Sequence, residues 1–245
     1  MARHVLLNNV DHKNLKVITE RSAKYGDDVM YAMTFPLEFR SVQAHYPIFF
    51  HKDAENGKFY PVALFGFKAQ ENLFLTESDW DASYIPLTIV RQPFLIGIQQ
   101  FEEDGMIKKQ RVLHVDLDNP RLSETEGEAL FLEYGGNTPY LEYVASALET
   151  IHLGHEGNQA FIEKLLELKL LESFTLDIEL ANGSRNQLLG FYTINEDRLA
   201  ELEGDALTEL NDQGWLQAIY MTVASQSHIR ALIDKKNKQL LSSEG

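Results

Sequence analysis

The chain has 245 residues and no cysteine, which excludes disulfides, thiolate catalysis and cysteine-ligated metal sites. Its 37 acidic and 22 basic residues give a formal net charge of −15 at pH 7, an excess that would repel nucleic-acid phosphates and anionic lipid. No stretch approaches the roughly 18 apolar residues of a membrane helix, and the first residues lack the apolar run of a signal peptide, so we expect a cytoplasmic protein without a membrane span.

The first half of the chain is rich in short segments of strand composition. Runs of Val, Ile, Phe and Tyr predict strands at residues 15–18, 29–35, 47–51 and 59–67. The Asn56–Gly57 pair between the last two runs predicts the tip of a hairpin, because this dipeptide favours a tight turn.

Residues 37–46 predict a short helix within this strand-rich half. The helix is expected to end before Pro47, because the residue that precedes a proline disfavours helical backbone. Glu38 and Arg40 lie on this helix, and we expect them to form an ion pair at the surface rather than a catalytic dyad.

The segment from residue 85 to residue 101 is apolar but contains Pro86 and Pro93. Because prolines are rare in central strands, the segment predicts a bent strand or an edge strand. Residues 106–117 alternate in polarity well enough to pair with it, across a turn at residues 102–105.

The second half changes to a helical period. Apolar residues recur at helical spacing from Pro139 to Leu171, and Thr138 followed by Pro139 predicts the start of a helix. The segment 153–158 contains two glycines and predicts a break that divides this stretch into two helices.

Residues 174–180 and 188–194 predict a second hairpin, which turns at the Asn182–Gly183 pair. Asn195 predicts the N-cap of a short helix, and residues 215–236 predict one long amphipathic helix. The predicted fold class is therefore α+β, with a strand-rich N-terminal half and a helical C-terminal half that carries one β-hairpin. Without a linker or an internal repeat, residues 1–245 are expected to form a single domain.

Several blocks along the chain form a distinctive set. They are Phe35-Pro36-Leu37-Glu38-Phe39, Tyr46-Pro47-Ile48-Phe49-Phe50, Glu71-Asn72-Leu73-Phe74, Trp80 with Tyr84-Ile85-Pro86, Arg91-Gln92-Pro93-Phe94, the run from Leu189 to Glu196, and Gly214-Trp215-Leu216. With these blocks the chain resembles the SapC family of bacterial proteins, from about Tyr31 to Leu232. The resemblance implies a role associated with bacterial surface-layer loci, but it carries over no reaction and no catalytic residue. The unrelated peptide-transporter permease of the same name spans a membrane, so this chain does not resemble it.

The segment from Trp80 to Phe94 is the predicted ligand site. An aromatic ring beside a fixed guanidinium suits a ligand with a carboxylate and an apolar body, so Trp80, Tyr84 and Arg91 are expected to line one concavity. Asn72 would add an amide. The alternative is that Trp80 and Tyr84 form a packed corner, while Arg91 pairs with one of the many acidic residues.

His114 and Asp116 are the strongest candidates for residues that take part in a reaction. Residues two apart on a strand face the same side, so the imidazole and the carboxylate would share a metal ion. His152 or His155 would complete a two-histidine, one-carboxylate set for Fe(II). Both of these histidines lie in the predicted helix or its terminal turn, so we expect ordinary hydrogen bonds at His114 and Asp116, no bound metal and no cofactor.

Two classes of function therefore remain. The first is a non-enzymatic cytoplasmic accessory protein that binds a peptide, a small anionic metabolite or a partner protein. The second is a metal-dependent oxygenase or hydrolase that uses His114 and Asp116. We favour the first, because the sequence contains no catalytic motif. A homodimer through the C-terminal amphipathic helix is a lesser option.

Overall fold

The structure is a computed structural model, and it describes residues 3–103 and 105–243. The strands in these residues are β1 (His4–Leu6), β2 (Lys16–Val17), β3 (Tyr31–Met33), β4 (Ile48–Lys52), β5 (Phe59–Leu64), β6 (Phe94–Glu103), β7 (Met106–Asp116), β8 (Leu122–Ser123), β9 (Glu128–Ala129), β10 (Leu171–Glu179) and β11 (Arg185–Ile194). The helices are α1 (Phe39–Val42), α2 (Leu87–Val90), α3 (Pro139–Glu167), α4 (Glu196–Ala200), α5 (Asp205–Asp212), α6 (Trp215–Ser225) and α7 (His228–Ser243). The predicted α+β class is confirmed, with most strands in the first half and most helices in the second.

The strands form three antiparallel sheets. The central sheet has five strands in the order β10–β11–β4–β5–β3. Two smaller sheets have three strands each, in the orders β1–β7–β6 and β8–β2–β9.

Both predicted hairpins are confirmed. Strand β4 pairs with β5, and Gly57 lies in the turn between them with a φ of +71°. Strand β10 pairs with β11, and Gly183 lies in that turn with a φ of +78°. A positive φ is costly for a residue with a Cβ atom, which explains the glycine at each tip.

The pairing of the 94–103 segment with the 106–116 segment is also confirmed, and β6 is an edge strand as predicted. The turn that was predicted at 102–105 includes Asp104, which lies outside the described residues. The prediction that this strand begins at residue 85 is wrong. Pro86 instead stands before the single helical turn α2, where its fixed φ and missing amide hydrogen are well tolerated.

Two predicted helix boundaries are wrong as well. Helix α3 continues through Gly154 and Gly157 without a break, because Gly154 is the position at which the helix packs closely on Phe35. The stretch 215–236 is divided between α6 and α7. At this division the Ser225 hydroxyl accepts a hydrogen bond from the Ile48 backbone amide, and Nε2 of the Gln226 side chain donates to the Ile48 carbonyl.

Buried apolar residues form two clusters. The larger cluster lies against the central sheet, and the smaller one is built from Val17, Phe94, Val115 and Leu130 together with the first half of α3. The second half of α3 supplies residues to the larger cluster, so this helix ties the two together. That residues 1–245 form a single domain stays a prediction. Among the described residues, no helix is long and apolar enough to cross a membrane.

Candidate functional site

Glu38 is the centre of a buried polar network. Its carboxylate accepts hydrogen bonds from the Thr34 hydroxyl at 2.7 Å, the Tyr84 hydroxyl at 2.8 Å and the Leu87 amide at 2.6 Å. Burial raises the pKa of Glu38, while these three donors oppose that rise. The prediction of a surface pair between Glu38 and Arg40 is wrong, because Glu38 is buried and joins the loop before α1 to the loop before α2.

Trp80 and Tyr84 are connected through Tyr46. The Trp80 indole nitrogen donates to the Tyr46 hydroxyl at 2.7 Å, and the Tyr46 hydroxyl donates to the Tyr84 carbonyl. Trp80 is buried and packs edge-on against Phe65, with ring centroids 5.1 Å apart. Burial raises the pKa of both Tyr46 and Tyr84. These contacts hold the 80–84 loop in place and close the face of Trp80 to solvent.

Asn72 belongs to a different network. Its amide nitrogen donates to the Asp27 carbonyl at 2.8 Å, and its oxygen accepts from the Phe74 amide at 3.0 Å. Within residues 3–103 and 105–243, no hydrogen bond joins Asn72 to Trp80 or Tyr84. The structure therefore does not bring Asn72 into one polar network with the two aromatic residues.

The carboxylate of Asp27 is the anchor of this second network. Asp27 and Arg121 are both fully buried and form an ion pair, and the Arg21 guanidinium lies 3.4 Å from the other carboxylate oxygen. The Ser22 amide also donates to Asp27, at 3.0 Å. Nη1 of Arg121 further donates to two backbone carbonyls, at 3.0 and 2.7 Å, so most of the polar contacts of this group come from within the protein.

Arg91 is half-buried at the end of α2, and its Nη1 donates to the Phe94 carbonyl at 2.8 Å. No carboxylate of the described residues lies within 4.0 Å of its guanidinium. Burial lowers the pKa of Arg91. A half-buried guanidinium that no carboxylate of the described residues contacts is suited to bind an anionic ligand. In the part of the chain that is described, no hydrogen bond or ring contact links Arg91 to Trp80 or Tyr84.

His114 and Asp116 lie on β7 as predicted, but they make separate contacts. Asp116 accepts hydrogen bonds from the Arg3 and Asp118 amides, at 3.0 and 3.2 Å. The His114 ring lies over Gly97, where a Cβ atom would come within 2.5 Å of its Nε2. His152 instead faces Glu156 along α3, at 3.5 Å. Of the described residues, no three His, Asp or Glu side chains come together as a set of metal ligands, and His152 and His155 do not join the His114–Asp116 pair.

A groove that the sequence did not predict lies between the loop before α1, the middle of α3 and the start of α6. It encloses a volume of about 380 Å³, and its apolar walls include Leu37, Leu153, Trp215 and Met221. Leu37 is 67% exposed and Leu153 is 49% exposed, so both leucines present apolar surface to solvent. An apolar group that binds in the groove would therefore bury these exposed side chains.

The electrostatics of this groove differ from those of the chain as a whole. None of its lining residues is acidic, and its one basic residue is the exposed Arg40. Within the described residues, no carboxylate lies within 4.0 Å of the Arg40 guanidinium. Helix α6 begins at the same groove, with Gly214 as an N-cap that offers no side chain and with no acid in its first turn. Both features favour a negatively charged group.

The sequence carried a partial signal for this groove. Leu37 and Trp215 each belong to a block that supports the family resemblance, but one sequence does not reveal that these distant blocks meet. The long helix α3 brings them together, since Gly154 lets the helix approach the Phe35 ring.

Comparison with known proteins adds one finding. A family model described as SapC matches residues 7–232, which include the Glu38 network and the whole lining of the groove. Searches of the curated proteins and of the solved structures gave no significant match.

Proposed function

The chain belongs to the SapC family, and we propose that it is a non-enzymatic accessory protein that binds a peptide in the groove between Leu37, Leu153 and Trp215. The observation that carries this proposal is the composition of the groove, which combines exposed apolar side chains with no carboxylate in its lining and with one cation, Arg40, that no carboxylate of the described residues pairs. In a chain with 37 acidic residues, such a surface favours an anionic, apolar ligand.

The expected ligand is a peptide segment that carries apolar side chains beside a carboxylate. Covering the exposed parts of Leu37 and Leu153 would remove apolar surface from water, at about 25 cal/mol per Å². The carboxylate would contact Arg40 or the backbone amides at the start of α6. The volume of about 380 Å³ is within the range of binding pockets, which supports a short segment rather than a whole domain surface.

The chemistry of the lining supports binding rather than catalysis. Its side chains with polar groups are Arg40, Gln213, Gln217 and the indole of Trp215. None of these is an ordinary nucleophile or a general acid or base near neutral pH. The groove therefore offers recognition without a group that would carry out a reaction.

Arg91 is retained as a second candidate contact for an anionic ligand, because no acidic side chain of the described residues neutralises it. Under this proposal Trp80 and Tyr84 act indirectly, by holding the backbone that leads to Arg91. Asn72 instead holds the backbone at Asp27 and Phe74. Arg91→Lys keeps the charge but loses the planar fork, so a bidentate contact with a carboxylate would weaken.

Trp215 provides the experiment that tests the groove. The chain has two tryptophans, and Trp80 is buried, so Trp80→Phe leaves Trp215 as the fluorescent reporter at the site. Random dodecapeptides displayed on phage would be selected on the purified protein, and the enriched peptides synthesised and titrated against Trp215 emission. We expect peptides with apolar residues beside an acidic one, and at least tenfold weaker binding in Arg40→Gln.

A matched pair of variants on α3 supplies the control. Leu153→Asp places a charge in the groove, whereas Leu166→Asp places one at a residue of similar exposure, 46%, outside it. The proposal predicts that Leu153→Asp abolishes binding and that Leu166→Asp leaves it unchanged. Absence of enrichment, or equal binding by the two variants, would overturn it.

A further inference from the structure

The outer part of β6 and β7 is a two-stranded ribbon with both faces open to solvent. Strand β1 pairs with β7 only at His114–Asp116, so it does not cover the outer part. The side chains at 98–102 and 106–111 are all exposed. A two-stranded hairpin is marginally stable by itself in water, which makes an extended free ribbon an unusual feature.

This ribbon also exposes large apolar side chains. Ile98 is 68% exposed, Phe101 38%, Met106 62% and Ile107 74%. Such a group on an unpaired edge is a site where another strand gains both hydrogen bonds and apolar burial.

The two free edges of the ribbon differ in charge. The outer part of β7 carries Lys108, Lys109 and Arg111 within four positions, and cations on an edge strand discourage pairing with another strand. The outer part of β6 has the uncharged run from Ile98 to Phe101, and β6 is the edge of its sheet. Strand β6 is therefore the edge that is open to a partner.

We propose that β6 pairs in antiparallel fashion with β6 of a second copy of this chain. Two copies that each carry a net charge of −15 repel one another, and the uncharged run gives identical strands a place to meet without facing acids. The pairing makes a continuous sheet in which the cationic β7 strands of both copies are outermost. Those strands discourage further addition, so assembly stops at a closed dimer.

A two-fold axis through such a pair places one residue of β6 opposite itself. Directly opposed residues of antiparallel strands have Cα atoms about 4.5 to 5.5 Å apart, a separation that a disulfide spans. Every other residue of β6 lies too far from the same residue of the second copy for a disulfide to form. Because the chain contains no cysteine, single cysteines introduced along β6 report this geometry without background.

The first test is the oligomeric state over a wide range of concentrations, measured by sedimentation velocity on the full chain. A pairing that is centred on the four residues Ile98 to Phe101 is expected to bury less than the roughly 1,200–2,000 Å² of stable complexes, so we expect a monomer that converts to a dimer as concentration rises. Gln99→Lys should keep the chain monomeric. Gln110→Lys is the matched control, because Gln110 is the partner of Gln99 on β7 and adds the same charge away from the β6 edge.

The second test is oxidation of the single variants Ile98→Cys, Gln99→Cys, Gln100→Cys and Phe101→Cys, with Gln110→Cys as the control. We expect the yield of disulfide-linked dimer to peak at one β6 position, to fall on both sides and to be low in the control. A chain that stays monomeric at every concentration, assemblies larger than two copies, or equal effects of Gln99→Lys and Gln110→Lys would overturn the proposal.

Discussion

The Tyr84 hydroxyl donates a hydrogen bond to Oε1 of Glu38 at 2.8 Å, although the two residues are 46 positions apart in the sequence. The same oxygen accepts the Leu87 amide at 2.6 Å. One buried carboxylate oxygen therefore holds both the loop that contains Tyr84 and the first residue of α2. This contact positions the segment that leads to Arg91.

Replacing Glu38 should be among the more destabilising changes in this part of the chain. Glu38→Ala leaves two hydroxyls and one amide without their acceptor, so we expect a loss of about 3 kcal/mol in the free energy of unfolding. Glu38→Gln keeps a carbonyl oxygen, and we expect a loss of about 1 kcal/mol or less. Urea unfolding measures both, and Arg40→Ala at an exposed position is the control. Equal stabilities of Glu38→Ala and Arg40→Ala would show that the network contributes little.

The pH dependence of stability should change when Glu38 is replaced. Because burial raises the pKa of Glu38, the folded state binds this proton more tightly than the unfolded state. The contribution of this proton to the free energy of unfolding is fully present at pH values below the ordinary pKa of glutamate. It is lost as the pH rises through the pKa of Glu38 in the folded state. Other acids titrate in both proteins, so the quantity to follow is the difference between wild type and Glu38→Gln. Glu38→Gln should gain stability relative to wild type as the pH rises above about 4, the ordinary pKa of glutamate, and parallel curves would contradict this.

Replacing only one partner of the ion pair between Asp27 and Arg121 should strongly destabilise the protein. Both residues are fully buried, so Asp27→Ala leaves a buried guanidinium without its closest counter-ion, and we expect a loss of about 3–5 kcal/mol. The pair between Asp81 and Lys235 is the control, because Asp81 is mostly exposed. Asp81→Ala should cost about 1 kcal/mol or less. Urea unfolding that gives similar losses for the two variants would show that burial of the Asp27 pair has little effect.

What could be predicted from the sequence depended on neighbouring residues. Thr138 accepts a hydrogen bond from the Leu141 amide at 3.3 Å, and Asn195 accepts one from the Arg198 amide at 2.7 Å. Each N-cap was predictable because the donor lies three residues away, and the two glycine turns were predictable for the same reason.

What could not be predicted depended on contacts between distant segments. The burial of Glu38 requires Tyr84 and Leu87 to fold over it, and the division between α6 and α7 requires the polar backbone of Ile48. At the candidate site, the sequence left open whether Trp80 and Tyr84 line a ligand site or form a packed corner, and it did not identify Tyr46 as the residue that connects them. Periodicity and composition describe one segment at a time, so they carry no information on which segments meet.

The two glycines of α3 allow the effect of packing on stability to be separated from the effect of helix propensity. The sequence predicted a break here, yet the helix continues because Gly154 is buried against a neighbouring loop while Gly157 is exposed. A Cβ atom at Gly154 would lie 2.1 Å from the Phe35 ring, whereas at Gly157 it would meet nothing within 4 Å. Either glycine replaced by alanine gains helix propensity of about 1 kcal/mol.

We therefore expect Gly157→Ala to be stabilised by up to about 1 kcal/mol. Gly154→Ala should be destabilised by about 1–3 kcal/mol, because the buried Phe35 ring has to move and the cost of overpacking exceeds the gain in propensity. Urea unfolding measures both, and combining Gly154→Ala with Phe35→Leu should recover part of the loss by making room for the new methyl group. If both alanine variants are stabilised alike, the approach of α3 to Phe35 is looser than this contact implies, and the groove beside it is not held in a fixed shape.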